Sequence, residues 1–125
     1  MISVYNVPFV GDFDGQDYSI TVDIESTENY IGLFRHIAGA TISNLTLSGS
    51  VISTHENFMM GEGKVGGLAG YTTNTTIDNV QSSAYVQGGN SEIGGLIGNA
   101  FATTINDSSV SAAVLGSGNF ASNVG

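Results

Sequence analysis

The feature that most constrains this chain is a repeat. Val65-Gly66-Gly67-Leu68-Ala69-Gly70 returns as Ile93-Gly94-Gly95-Leu96-Ile97-Gly98 at a shift of 28 residues. A second block keeps step with it, Thr76-Ile77-Asp78-Asn79 recurring as Thr104-Ile105-Asn106-Asp107. Thr41-Ile42-Ser43-Asn44 precedes the former by 35, and Gly32-Leu33 precedes Gly67-Leu68 by the same interval. Equivalent side chains returning at a period of about 20 to 50 residues are what stacked coils require, because one coil cannot bury its apolar row alone and its neighbours bury it instead.

Superposing the copies gives columns: Ile42, Ile77 and Ile105; Leu45, Val80 and Ser108; Leu47, Ser82 and Val110; Gly49, Ala84 and Ala112; Val51, Val86 and Val114. Between them stand Thr46, Ser48 and Ser50, or Gln81, Ser83 and Tyr85, or Ser109, Ser111 and Ala113. That alternation is the period of two of a half-buried strand. Small residues in the Gly49 column suit a tight inner corner, and the Gly-Gly-Leu-x-Gly runs are expected to let the chain turn with positive φ and to bring backbones close where a coil bends. The beginning of the chain reads as a shortened coil: Phe13-Asp14-Gly15-Gln16 leads into a strand with Tyr18, Ile20, Val22 and Ile24 on one face, Ile20 preceding Ile42 by 22.

Composition agrees. Gly 18, with many Ser, Thr and Asn, disfavours helices, whereas the Ile, Val and Leu among them favour strands. The net charge of -9, from 11 acidic and 2 basic residues, offers no cationic surface to phosphates or anionic lipid, which argues against nucleic acid as a partner. Asp12, Asp14, Asp17, Asp23, Glu25 and Glu28 concentrate negative charge at one end. Absence of cysteine removes disulfides, thiolate catalysis and zinc-thiolate sites. Met1 is followed by neither a basic stretch nor an apolar run of membrane length, so neither a signal peptide nor membrane insertion is expected from these residues.

The Gly67-Leu68-Ala69-Gly70 and Gly95-Leu96-Ile97-Gly98 runs resemble the GLUG-motif repeats, named for a Gly-Leu-any-Gly core. Phe9 to Gln16, Tyr18-Ser19-Ile20 and Ile31-Gly32-Leu33-Phe34 resemble the stretch that leads into such repeats, so the resemblance covers roughly residues 9 to 125. It implies a parallel β-helix from large bacterial surface or secreted proteins, among them filamentous adhesins and the non-catalytic region of some immunoglobulin A proteases, where the repeats serve as stalk or adhesive surface. The sequence departs from the motif where Arg35 replaces its last glycine and Ile31 its first, so the first turn is expected to differ.

The most individual segment runs from Thr54 to Lys64 and accounts for the 7 residues by which the first interval exceeds the second. It must leave the stack as a loop. Phe58, Met59 and Met60, flanked by His55, Glu56 and Glu62, compose an adaptable binding tip or, alternatively, fold back over a coil edge. Asp12, Asp14 and Asp17 offer hard oxygen ligands for Ca2+, although Gly15 stands at the fourth position of that run instead of the sixth and no bidentate Glu follows; the alternative is a plain turn. His36 and His55 have no second histidine at metal spacing.

Catalysis on a β-helix, as by a carbohydrate-active enzyme, needs convergent acids or a base. Asp78 and Asp107 stand one position out of register, and turn capping explains them equally well. Thr41, Thr76 and Thr104 form a threonine column flanked by Thr75 and Thr103, the kind of array that ice binding uses, but a short one. Asn44-Leu45-Thr46, Asn74-Thr75-Thr76 and Asn106-Asp107-Ser108 match the N-glycosylation pattern, relevant in a eukaryotic secretory host.

Together these readings predict an all-β chain, a right-handed parallel β-helix (β-solenoid) of about four coils forming a single domain over 1–125. Residues 1–30 form the leading coil, 31–64, 65–92 and 93–123 the repeats, and 124–125 the start of a further, incomplete one. The expected role is a non-enzymatic structural or adhesive module, extracellular or on the cell surface and cut from a longer chain. Expected partners are a host protein or glycan, or other copies meeting through open solenoid ends as a filament.

Overall fold

The computed structural model describes residues 1–3, 6–55, 63–89 and 91–117. It is all-β, with no helix among them. The strands are β1 (Phe9–Ser26), β2 (Tyr30–Ile31), β3 (Phe34–Ser53), β4 (Gly63–Gly66), β5 (Ala69–Thr73), β6 (Thr76–Ser82), β7 (Tyr85–Gly89), β8 (Ser91–Gly94), β9 (Ile97–Phe101), β10 (Thr104–Asn106), β11 (Ser109–Val110) and β12 (Val114–Ser117). The strand pairings among the described residues are parallel, in a nine-stranded curled sheet and a three-stranded sheet of order β2-β4-β8. β3 pairs in turn with β5, β6 and β7, bending where Gly39 (φ 62), Asn44 (φ 56) and Gly49 (φ 103) take left-handed backbone.

Register follows the repeat. Ile42 pairs with Ile77 and Ile77 with Ile105; Leu47 pairs with Ser82 and Ser82 with Val110; Val51 pairs with Val86 and Val86 with Val114. These rows are the core. Ile42, Leu47, Ile77, Val51 and Val86 are fully buried, in one cluster around Phe34, Leu45 and Leu68 and another around Ile31, Val65 and Ile93. The burial fades at the last row, where Ile105 is 46% exposed.

Two alignments differ from the sequence reading. In β1 it is Phe13, not Ile20, that pairs with Ile42, while Ile20 pairs with Leu47. The register shifts between Asp14 and Tyr18, and Gln16 (φ 55) and Asp17 (φ 62) are left-handed there. Gly15 is buried over Leu45, its missing Cβ leaving a site 3.1 Å from that side chain, so Tyr18 is displaced outward and is 72% exposed. In the first turn Ile31 pairs with Val65 and Tyr30 with Lys64, yet Phe34 pairs with Ala69. Ile31 therefore occupies the Val65 core position, Gly32 takes the place of Gly66, and this turn is one residue shorter than the next.

The glycines explain the motif physically. A Cβ on Gly70 would stand 2.8 Å from Ile31 N, 2.9 Å from Lys64 O and 3.0 Å from Arg35 O; on Gly98 it would stand 2.6 Å from Val65 N and 2.8 Å from Gly70 O. Both face the segment before them. Gly32 faces the segment after it, 2.8 Å from Gly66 O. Only hydrogen fits between backbones this close, and this, not the expected positive φ, is what the motif glycines serve, since among the described glycines those with positive φ are Gly11, Gly39 and Gly49. Arg35 is the counterpart of Gly70 one segment earlier, where the described residues before it are Ile2 and Ser3, and a side chain has room.

Candidate functional site: a polar and aromatic strip beside the glycine contacts

The glycine contacts press the β2-β4-β8 sheet against the β3-β5-β9 side of the larger sheet, and the side chains beyond them meet. On one side Tyr30, Lys64 and Glu92 follow one another in parallel register; on the other His36, Tyr71 and Asn99 do the same. Their contacts run the length of the strip. Tyr30 meets His36 edge-on with ring centroids 5.7 Å apart and Tyr71 at 5.6 Å, and His36 lies 5.0 Å from Tyr71. Lys64 Nζ stands 5.4 Å from the Tyr30 ring and 5.6 Å from the Tyr71 ring, within cation–π range. Its ion pair with Glu92 Oε1 measures 3.6 Å, and the other carboxylate oxygen of Glu92 accepts a hydrogen bond from Asn99 Nδ2.

Burial sharpens this electrostatics. The side chain of Lys64 is 10% exposed and that of Glu92 18%, so the pair is shielded from water much more than a surface ion pair. Arg35 is equally buried. Its Nε donates to Tyr30 O at 2.8 Å and an Nη to Glu28 Oε2 at 3.3 Å, tying the turn before β2 to the start of β3. Past Asn99 the strip opens into a shallow groove of about 350 Å³ lined by Ile97, Gly98, Asn99 and Ala100, on the edge strand β9.

A second polar row lies at the Asn44 bend. Asn79 Nδ2 donates to Asn44 Oδ1 at 2.9 Å and to Asp17 Oδ1 at 3.4 Å, and Asn44 Nδ2 donates to Asp14 Oδ1 at 3.1 Å. Asn44, Asn79 and Asp107 all have left-handed backbone, which Asn and Asp tolerate best after glycine. The backbone N–H of Gln16 and then the Asn44 amide hold the Asp14 carboxyl below its ordinary value of 3.8.

The sequence-predicted residues distribute as follows. His55 is half-buried just past the end of β3, while Glu56, Phe58, Met59 and Met60 lie outside the described residues. Asp12, Asp14 and Asp17 are exposed on β1, with Asp14 and Asp17 engaged by amides; among the described residues no three His, Asp or Glu side chains are grouped so as to hold a metal ion. Asp78 pairs with Asn106, not with Asp107. Thr41, Thr76 and Thr104 do stand in register.

The strip itself was not anticipated. Its signal is in the sequence, since Tyr30, Lys64 and Glu92 recur at 34 and 28 residues and His36, Tyr71 and Asn99 at 35 and 28, but nothing in either column says that the two stand side by side. Comparison with family models, with curated proteins and with solved structures finds no match for this chain.

Proposed function

We propose that this chain is a non-catalytic binding and display module: a right-handed β-helix of about four coils, akin to the GLUG repeats, belonging to a secreted or surface-attached protein. The observation that carries the reading is the parallel register, which sets equivalent residues at intervals of 28 and 35 over one another, with glycine contacts at the motif positions. A stack of this kind is a rigid rod whose flank repeats, and rods suit stalks and extended contact surfaces. The strip from Tyr30 to Asn99 and the segment Thr54 to Lys64 are the two contact surfaces, because the half-buried aromatic rings of Tyr30 and Tyr71 beside the Asn99 amide fit a glycan or a host protein surface.

The test is binding of the labelled chain to arrayed glycans and to immobilised extracellular-matrix proteins, with two variants that keep the unfolding midpoint. Loss of a retained partner on Tyr71→Ser places contact on the strip, and loss on Phe58→Ala with Met59→Ala places it on the loop. A folded chain that retains nothing on either panel sinks the binding half of the proposal.

A second reading, end-to-end assembly into filaments, is favoured by the exposure of the last rows. Ile105, Phe101 and Leu115 are 46%, 65% and 50% exposed at the β9–β12 end, a span whose one charged side chain is Asp107. An edge so poor in charge lacks the usual guard against strand pairing. Light scattering across a concentration series decides this: growth into rods supports it, and a monomer at every concentration refutes it.

A further inference from the structure

Lys64, Glu92 and Asn99 form a set whose chemistry goes beyond binding. A primary amine and a carboxamide reach the same carboxylate, Lys64 Nζ through Oε1 at 3.6 Å and Asn99 Nδ2 through Oε2. The amine is largely closed to water: Lys64 is 8% exposed overall, and the Tyr30 and Tyr71 rings stand 5.4 Å and 5.6 Å from it, while Glu92 and Asn99 are half-buried. Its members come from different strands, Lys64 from β4, Glu92 from β8 and Asn99 from β9. An amine shielded from water, an acyl carbon and a proton carrier held together are the elements of acyl transfer.

We propose that Lys64 and Asn99 become joined by an intramolecular amide bond, with Glu92 as the catalytic residue. Glu92 takes a proton from the Lys64 ammonium, and the freed Nζ lone pair attacks Asn99 Cγ, the carbonyl electrons moving onto the oxygen. Glu92 hands that proton to Nδ2 and accepts the second proton from Nζ as the tetrahedral carbon collapses. The Cγ–Nδ2 bond breaks, ammonia leaves, and the proton left on Glu92 passes to it in water, giving ammonium. One C–N bond forms and one breaks, and nothing is oxidised or reduced.

The reaction needs Lys64 Nζ to leave the carboxylate and close onto the carbon of the amide that hydrogen-bonds the same carboxylate, on a stem of four flexible carbons. The product is a covalent tie between the β4 and β9 segments in a chain that has no cysteine for the purpose.

Intact mass spectrometry tests this on the whole chain, with far-UV circular dichroism to establish that it is folded. The expected mass is short of the sequence value by one ammonia, about 17 Da. Lys64 and Arg35 are the 2 basic residues of the chain, so trypsin applied after denaturation is expected to cut after Arg35 and to spare Lys64. Glu92→Gln is expected at full mass with the cut after Lys64 restored. A folded wild-type chain at full mass and cut at Lys64 overturns the proposal. So does a loss of ammonia that persists in Lys64→Arg, which would mark cyclisation of Asn99 on its own backbone. Loss persisting in Glu92→Gln overturns the role of Glu92.

Discussion

Three glycine-to-alanine substitutions separate the reasons for which this chain uses glycine. At Gly70 the added methyl meets three backbone atoms between 2.8 Å and 3.0 Å away, on Ile31, Lys64 and Arg35, and none can yield without moving a strand. Overpacking a tight interior costs about 1–3 kcal/mol where side chains can shift, so backbone obstruction on this scale should cost at least about 3 kcal/mol, a large part of a typical domain's stability. At Gly39 nothing lies within 4 Å, but φ is 62°, and the cost of left-handed alanine is about 1–2 kcal/mol.

Gly88 supplies the contrast. Its φ is ordinary, and the methyl would meet side-chain atoms of Ile93 and Val65 at 3.3 Å. A few tenths of an ångström of side-chain adjustment should suffice, and lower entropy of the unfolded chain offsets it, leaving the change within about 1 kcal/mol. Urea unfolding followed by far-UV circular dichroism and by fluorescence of the 5 tyrosines, in a chain without tryptophan, ranks the three. The expected order of loss is Gly70, then Gly39, then Gly88. A Gly70→Ala chain that unfolds at the same urea concentration as Gly88→Ala would refute the claim that backbone proximity fixes the motif.

Two further predictions come from the same stack. Ile77→Ala, at a fully buried position between Ile42 and Ile105, should cost about 2–5 kcal/mol, whereas Ile105→Ala, 46% exposed, should cost roughly half as much; equal midpoints in urea would contradict the burial gradient. The Asp14 carboxyl, held below 3.8 in the fold, contributes stability above its ordinary value that disappears as pH falls through the lowered one. Its NMR titration midpoint should lie below 3.8 and rise only part of the way in Asn44→Ala, since the Gln16 N–H is the larger cause; an unchanged midpoint would show that Asn44 plays no part.

What was legible in the sequence follows from what period and alternation encode. The Ile42-Ile77-Ile105 and Val51-Val86-Val114 rows could be read because each inward residue in a stack is replaced by another of its kind. The pairing of Phe13 with Ile42 could not, because the three residues Gly15, Gln16 and Asp17 face a single Asn44, and a bulge leaves no periodic trace. Arg35 looked like a flaw in the motif, yet a glycine is needed only where a preceding segment presses on it. The strip was missed for a related reason. Its two columns belong to different sheets, and the backbone approach at Gly70 and Gly98, rather than any pattern within one strand, makes them neighbours.

The unequal intervals of 35 and 28 have an architectural consequence. Ile52 pairs with Gln87, and Gly63 pairs with Ser91, so the difference falls wholly between Ile52 and Gly63 while the ladders on either side keep step. The largest difference in length thus falls in one connection, the one that leads from the larger sheet into the three-stranded sheet. A foreign peptide spliced after His55, or between Gly89 and Ser91, would lengthen that connection and leave the paired strands on either side in register, and two such inserts would leave the sheet from neighbouring strands, about 4.8 Å apart.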